Sequence, residues 1–228
     1  AIALDSVRQN ALWIDPKSIA QGLRSWKWPL YFLDFETFGP AIPKYPGTSP
    51  YQQIAFQFSC HVIEKIGAEP KHFEYLHSDS SDPRPAVARA LAKVIGPKGS
   101  IVAYNKSVEQ RAIEDLAARC SDVAVQLRKW KDRFVDPLPI IRNSVYAPEF
   151  RGSYSIKSVA PALLGKEFSY AEMDIGDGQA AQLGFARLLS GEVSAKEKSA
   201  LKKSMLAYCA QDTLVMMKIT AWLFAQLS

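Results

Sequence analysis

The fold is decided by the stretch PLYFLDFET at residues 29–37. Apolar and aromatic side chains fill the positions before Asp34, which is typical of a strand buried at the centre of a sheet. Asp34 and Glu36 then follow two apart, so their side chains point to the same face. Adjacent anions repel unless a cation lies between them, which favours a divalent metal site. A strand that simply ends in solvated acids has the same pattern, so the choice depends on the rest of the chain.

Further acids occupy matching places later in the sequence. Residues 100–104 predict a second buried strand. The apolar period after this strand predicts a helix with Glu109 in its first turn. Tyr208 and Asp212 stand four apart in a long helical pattern and therefore share one face. Apolar neighbours of Asp212 predict a buried carboxylate, which needs a partner or a metal.

Taken in order, these residues resemble the three exonuclease motifs of the DnaQ-like superfamily, the DEDD group of 3′-5′ exonucleases on an RNase H-like fold. The motifs cover nearly the whole chain, as Asp34-x-Glu36, Asn105-x-x-x-Glu109 and Tyr208-x-x-x-Asp212. Tyr208, with Ala207 where the other subclass has His, makes the chain the DEDDy type. Segments 56–59 and 152–157 also resemble an uncharacterised bacterial branch of that superfamily, a domain of unknown function.

The resemblance implies a two-metal 3′-5′ exonuclease that hydrolyses phosphodiester bonds of nucleic acid. Asp34 would bridge two divalent cations, Mg²⁺ or Mn²⁺, with Glu36 and Asp212 completing the first site and Glu109 acting on the second through water. Ligands that offer only oxygen suit these ions. Tyr208 would orient the attacking water, because a free phenol has a pKa of about 10. Glu109 departs from the usual Asp, and its extra methylene can shift the second metal.

The substrate class stays open at this point. We favour single-stranded nucleic acid or a 3′ end, with DNA preferred to RNA. One alternative is an RNA-trimming nuclease of the oligoribonuclease type. The other is an RNase H-like module that binds nucleic acid without cutting it. Retention of all four acids and Tyr208 argues against this module, and the Glu109 departure is its best support.

Several other residues are weaker candidates for substrate contact. Aromatic side chains in the loop after the first motif would stack on a terminal base, although packing onto the core is an equal alternative. Lys157 would touch phosphate as a point charge. Asn105 is also predicted to cap the Glu109 helix, and Asp136 to cap a helix that begins at Pro137. The full set of substrate-binding candidates is Thr37, Phe38, Tyr45, Tyr51, Asn105, Tyr154, Ser155 and Lys157.

Composition agrees with this interpretation without deciding it. The 228 residues are 48% hydrophobic, enough for one sizeable core. The net charge of +5 suits a polyanionic partner. Three scattered cysteines favour a reducing cytoplasm over a disulfide or zinc framework. No signal peptide or long apolar run indicates export or membrane insertion, so we predict a cytoplasmic protein.

The order of predicted elements indicates the architecture. Residues 1–28 are predicted to be a helical lead-in, a remnant of a longer protein with an upstream domain. Residues 29–228 are predicted to form one RNase H-like domain, with a mixed five-stranded sheet and helices on both faces. Apolar residues alternate with polar ones over 54–62, which predicts a strand with one apolar and one polar face.

Overall fold

The computed structural model describes residues 2–227, with side chains from residue 6 onward. The strands are β1 (Trp13–Ile14), β2 (Leu30–Phe38), β3 (Ile54–Ile63), β4 (Lys71–Leu76), β5 (Ser100–Val102), β6 (Phe134–Val135) and β7 (Val145–Tyr146). The helices are α1 (Ile2–Gln9), α2 (Pro16–Leu23), α3 (Pro83–Ala92), α4 (Ser107–Arg119), α5 (Ala124–Arg128), α6 (Pro137–Ser144), α7 (Ile156–Leu164), α8 (Gly178–Ser190) and α9 (Ala195–Ala225).

The predicted mixed five-stranded sheet is confirmed, in the order β4-β3-β2-β5-β6. The central strand β2 pairs antiparallel with β3 and parallel with β5. Its parallel pairing ends where Phe32 lies opposite Val102. The end of β2 that carries Asp34 and Glu36 therefore extends past β5. In α/β sheets this carboxyl end is where crevices form.

Helices cover both faces of the sheet, as predicted. Tyr31, Leu33 and Phe35 of β2 join one core cluster with side chains of α3, α4 and α5. Leu30 and Phe32 point the other way and pack against α9. Both faces of β2 are therefore buried. Each such apolar side chain adds about 1.5–3 kcal/mol to the free energy of unfolding, relative to full exposure.

The alternation predicted for residues 54–62 is interrupted in the structure. Between Glu36 and Thr37 the pairing with β3 shifts by one residue, from Gln57 to Ala55. A β-bulge of this kind moves the residues beyond it to the opposite face. Phe56 consequently stacks on Phe185 of α8, at 4.0 Å between ring centroids, instead of joining Phe58 on the other face.

The polar face of β3 is covered, and α9 is the element that covers it. Gln57 Nε2 donates to the Met205 carbonyl at 2.8 Å. Thr213 Oγ1 lies 2.7 Å from Ser59 Oγ and 2.8 Å from His61 Nδ1. These hydrogen bonds tie the polar side chains of β3 to the helix that lies over them, although Gln57 Oε1 has no partner among the described residues. They fix where α9 crosses the sheet.

The N-terminal part of the chain packs into the same body. Asp15 caps α2 with its carboxylate, and Pro16 follows at the first helical position. Ile19 and Leu23 lie in the larger core cluster. Strands β1 and β7 form a small second sheet that the sequence pattern did not predict. Among the described residues, no helix has both the length and the apolar character that a membrane span requires.

The turn that leads into α4 is held by Asp136, and the predicted cap by Asn105 is wrong. The Asn105 side chain instead accepts from Ser107 Oγ at 3.2 Å, and α4 has no side-chain cap. Asp136 accepts from the backbone amides of Asn105 and Lys106, both at 3.1 Å. It also caps α6 through the amide of Leu138, as predicted. One carboxylate thus joins α6 to the start of the helix that carries Glu109.

Replacing Asp136 with Ala should lower the free energy of unfolding by about 2–3 kcal/mol, because a cap and two further charged hydrogen bonds are lost. Asp136→Asn keeps acceptor oxygen and should lose less. Urea denaturation measures both. The matched control is Asp132→Ala, an exposed acid for which a change within about 0.5 kcal/mol is expected. Equal losses at the two positions would contradict the role given to Asp136.

Candidate metal centre

Two carboxylates lie at the end of the central strand, on the face toward α9. Asp34 is half-buried and Glu36 is buried, with 6% of its surface exposed. One ligand atom each from Asp34, Glu36 and Cys209 lies within 4.8 Å of the others. Residues 34 and 36 therefore share one face and one site, as their spacing on the strand predicts.

Helix α9 brings a third carboxylate to the same place. Its Cys209 Sγ lies 3.7 Å from Asp34 Oδ2, so the helix touches the strand at this point. Tyr208 and Asp212 are both buried, with 4% and 8% of their surfaces exposed. The charges of Asp212 and Glu36 both raise the pKa of Asp34, after the larger effect of burial. Tyr208 and Asp212 therefore lie on the face of α9 that packs toward the acids of β2.

The fourth acid, Glu109, enters from α4. It is buried, and its Oε2 atom is closed to solvent and has no hydrogen-bond partner among the described residues. Its charge adds to the effects that raise the pKa of Asp34, so it lies within electrostatic reach of Asp34. An unpartnered buried carboxylate oxygen is costly, and a cation is the usual partner for one.

Burial and mutual repulsion raise the pKa values of these acids, so they stay protonated at a higher pH than ordinary carboxyl groups. Burial raises the pKa of Glu36 to about 8, with the Asp212 charge as the second cause. Burial likewise raises the pKa of Glu109 to about 8. The pKa of Asp212 rises only to about 6, because a hydrogen bond from Tyr170 and the charge of Lys157 oppose the effect of burial. Raised pKa values at all of these acids indicate that their negative charge is not balanced by nearby positive charge.

Lys157 of α7 supplies part of that charge. Its Nζ atom lies 5.3 Å and 5.2 Å from the ring centroids of Tyr170 and Tyr208. It donates to the Gly176 carbonyl, and its charge lowers the pKa of Glu36 and of Asp212 against the effect of burial. Of the weaker sequence candidates, Lys157 is the one that the structure brings to the acids.

Tyr170 belongs to the site although the sequence did not indicate it. It lies between α7 and α8 and is 6% exposed. Its hydroxyl donates to Asp212 Oδ1 at 2.7 Å. No motif spacing surrounds Tyr170, and a single tyrosine in a segment rich in turns has no pattern that could have marked it.

Two predicted stacking residues lie in the core instead. Phe38 and Tyr45 are each 8% exposed, and their rings pack edge to face at 6.1 Å. Phe38 also packs against Phe185 of α8. The alternative of core packing is therefore correct for both. Strand β2 continues to residue 38, so Phe38 falls on the inward face of a strand and not in a loop.

The remaining candidates occupy the surface or the rim. Tyr51 is 70% exposed and has a positive φ of 60°. Thr37 donates to Gln53 Oε1 at 3.0 Å. Tyr154 packs against other aromatic rings and accepts a hydrogen bond at its carbonyl, Ser155 is exposed among serines, and Asn105 is exposed.

The donor set fits a hard divalent cation. Carboxylate oxygens predominate, as Mg²⁺ and Mn²⁺ prefer. Cys209 brings a sulfur atom to Asp34 and Glu36, but burial raises its thiol pKa well above the ordinary value, which opposes thiolate ligation. The unpartnered Glu109 oxygen and the raised carboxyl pKa values also fit a site built for cations.

Fold and site together define an α/β protein with a buried carboxylate cluster at the end of its central strand. The chain belongs to the family described as Domain of unknown function (DUF2779), whose model matches residues 31–155, more than half of the chain. The matched segment contains Asp34, Glu36 and Glu109 and ends before Tyr208. No curated protein and no solved structure matches the chain.

The metal-free protein should become less stable as pH rises from about 5 to about 8. Unfolded carboxyl groups titrate near pH 4, whereas the folded protein keeps Glu36 and Glu109 protonated up to about pH 8. Between these limits the folded state binds more protons than the unfolded state, so the free energy of unfolding falls with pH. Urea denaturation in EDTA measures the slope.

Glu36→Gln should flatten this slope, and Glu69→Gln, an exposed acid on the loop after β3, should leave it unchanged. Added Mn²⁺ should raise the melting temperature more at pH 8 than at pH 6, because protons and metal compete for the same oxygens. A stability that rises with pH in EDTA would show that the acids are not held protonated.

Proposed function

We propose that this protein is a metal-dependent 3′-5′ exonuclease of the DEDDy type, which hydrolyses phosphodiester bonds of nucleic acid. The observation that carries the proposal is the convergence of acids from three elements far apart in sequence. Strand β2 contributes Asp34 and Glu36, α4 contributes Glu109, and α9 contributes Asp212. Acids that meet by accident would have no reason to be buried together.

The architecture supports the finer assignment of an RNase H-like fold. The first strand of the large sheet is its centre, with an antiparallel pair on one side and parallel strands on the other. Helices lie on both faces, and the acids stand at the carboxyl end of that central strand. This is the arrangement that the resemblance to DnaQ-like exonucleases leads us to expect.

The residues divide the work of hydrolysis in a physically reasonable way. Asp34, Glu36 and Asp212 would hold the first cation, and Glu109 would contact the second through water. When bound, such cations would supply an activated water and neutralise charge on the leaving oxygen. Asp34 lies at the centre of the cluster, since the charges of the other three acids all act on its pKa.

Tyr208 and Lys157 act on the water and on the phosphate. Burial and the surrounding anions raise the pKa of Tyr208, so its hydroxyl stays protonated and orients water rather than removing a proton. The positive charge of Lys157 lowers the pKa of both Glu36 and Asp212 against the effect of burial. A phosphodiester adds one negative charge to the site, and Lys157 would compensate it.

A direct assay tests this function. End-labelled single- and double-stranded DNA and RNA are incubated with the protein in Mg²⁺, Mn²⁺ or EDTA. We expect stepwise shortening from the 3′ end that requires metal, with single-stranded DNA as the preferred substrate. The net charge of +5 is consistent with a polyanionic substrate of either sugar.

Variants distinguish cleavage by this protein from cleavage by a contaminating nuclease. Asp34→Asn and Asp212→Asn should abolish cleavage, and Glu192→Gln, an exposed acid between α8 and α9, should cleave like wild type. Preference for RNA would make the protein an RNA-trimming nuclease. Metal-independent binding of nucleic acid without cleavage would instead support a binding module and overturn the proposal.

Removal of the Tyr208 hydroxyl should reduce turnover and leave nucleic-acid affinity nearly unchanged. Tyr208→Phe keeps the ring that packs edge to face on Tyr170. Positioning and acid–base contributions are typically about 10²–10⁴-fold, so single-turnover rates should fall within that range. Cleavage by Tyr208→Phe at the wild-type rate would mean that another group positions the water.

A further inference from the structure

Tyr170 makes a contact that the proposed reaction does not yet use. Its hydroxyl donates to Asp212 Oδ1 at 2.7 Å, and both side chains are buried. A free phenol has a pKa of about 10, so this hydroxyl is a donor at neutral pH. Tyr170 is the hydrogen-bond donor to Asp212 among the described residues.

The hydrogen bond restricts Asp212 in a way that a metal ligand needs. The last torsion of an aspartate side chain has a broad, roughly two-fold energy profile, so packing alone does not fix its carboxylate plane. Donation to Oδ1 fixes that plane and leaves Oδ2 free for the acid cluster. Asp212 on α9 is thus oriented by Tyr170, which lies outside α9.

Tyr170 is itself held in place from several sides. It belongs to the larger core cluster together with Ile175 of the same segment. Its ring packs edge to face on Tyr208, with 6.2 Å between centroids. Lys157 lies over its ring at 5.3 Å and donates to the Gly176 carbonyl, which ties down the far end of the segment. Because Tyr170 is held in place by these contacts, its hydrogen bond restricts the orientation of the Asp212 carboxylate.

We propose that Tyr170 is a positioning residue that orients Asp212 as a ligand of the metal centre. The inference rests on the proposed metal site. It adds to that proposal by giving different roles to Tyr170 and Tyr208, whose rings are in contact. Tyr208 acts on the water, and Tyr170 acts on the ligand. Groups that hydrogen-bond to metal ligands typically change metal affinity by about 10–100-fold.

The test measures Mn²⁺ binding without nucleic acid, by the electron paramagnetic resonance signal of free Mn²⁺. Tyr170→Phe should raise the dissociation constant about 10–100-fold. Tyr208→Phe is the matched control, since it removes one hydroxyl from the neighbouring buried ring, and it should bind Mn²⁺ like wild type. Tyr45→Phe is a second control, because its buried hydroxyl has no hydrogen-bond partner among the described residues and the acids whose charges act on it are Asp79 and Asp82.

Two further measurements exclude a general structural effect. In an Asp212→Asn background, Tyr170→Phe should produce no additional loss of Mn²⁺ affinity, because the residue acts through Asp212. At saturating Mn²⁺, turnover by Tyr170→Phe should return toward wild type, whereas turnover by Tyr208→Phe should stay low. Melting temperatures in EDTA establish that all variants are folded at the temperature of the titration.

The outcomes distinguish this inference from the proposed function. If wild type binds Mn²⁺ but cleaves no nucleic acid, the nuclease proposal is wrong, and the Mn²⁺ affinities alone decide the role of Tyr170. An unchanged affinity in Tyr170→Phe overturns the inference, as does an equal loss in Tyr45→Phe or an additive loss with Asp212→Asn. Failure of wild type to bind Mn²⁺ overturns the metal site and the inference with it.

Discussion

Carboxylates that share a buried site repel one another, and each also loses the hydration that it would have in water. This chain accepts both costs at the end of β2, where Asp34 and Glu36 lie together and the charges of Asp212 and Glu109 also raise the pKa of Asp34. The remainder of the structure can be understood as what holds these groups together against that repulsion. Large apolar cores on both faces of the sheet supply the stability, and Lys157 and Tyr170 reduce the local cost.

Three different physical effects place the four acids. Strand alternation places Asp34 and Glu36 on one face without further help. Glu109 depends on a tight turn that Asp136 holds by its two amide contacts. Asp212 depends on where α9 crosses the sheet, which the hydrogen bonds of Thr213 with β3 determine. The site therefore combines short-range geometry with contacts across more than a hundred residues.

The parts that the sequence predicted are those set by local periodicity. The run before Asp34 predicted the central strand, and the spacing of Tyr208 and Asp212 predicted their common face. The errors arise where tertiary contacts decide. Nothing local shows that a shifted pairing opposite Glu36 turns Phe56 toward α8, or that strand β2 carries Phe38 into the core. Asn105 and Asp136 are both good caps, and the fold alone determines which one reaches the turn. Tyr170 has no sequence signal, because its partner lies far along the chain.

The position of α9 in the chain also has a consequence for biosynthesis. Protein synthesis proceeds from the N-terminus, so the strands that carry Asp34 and Glu36 leave the ribosome well before α9 does. During that interval Gln57, Ser59 and His61 remain open to water, and the acids of β2 keep their hydration. The centre closes only when α9 docks. A nascent or truncated chain that lacks α9 therefore has no complete set of ligands, and the chemistry that the site supports begins only with the finished fold.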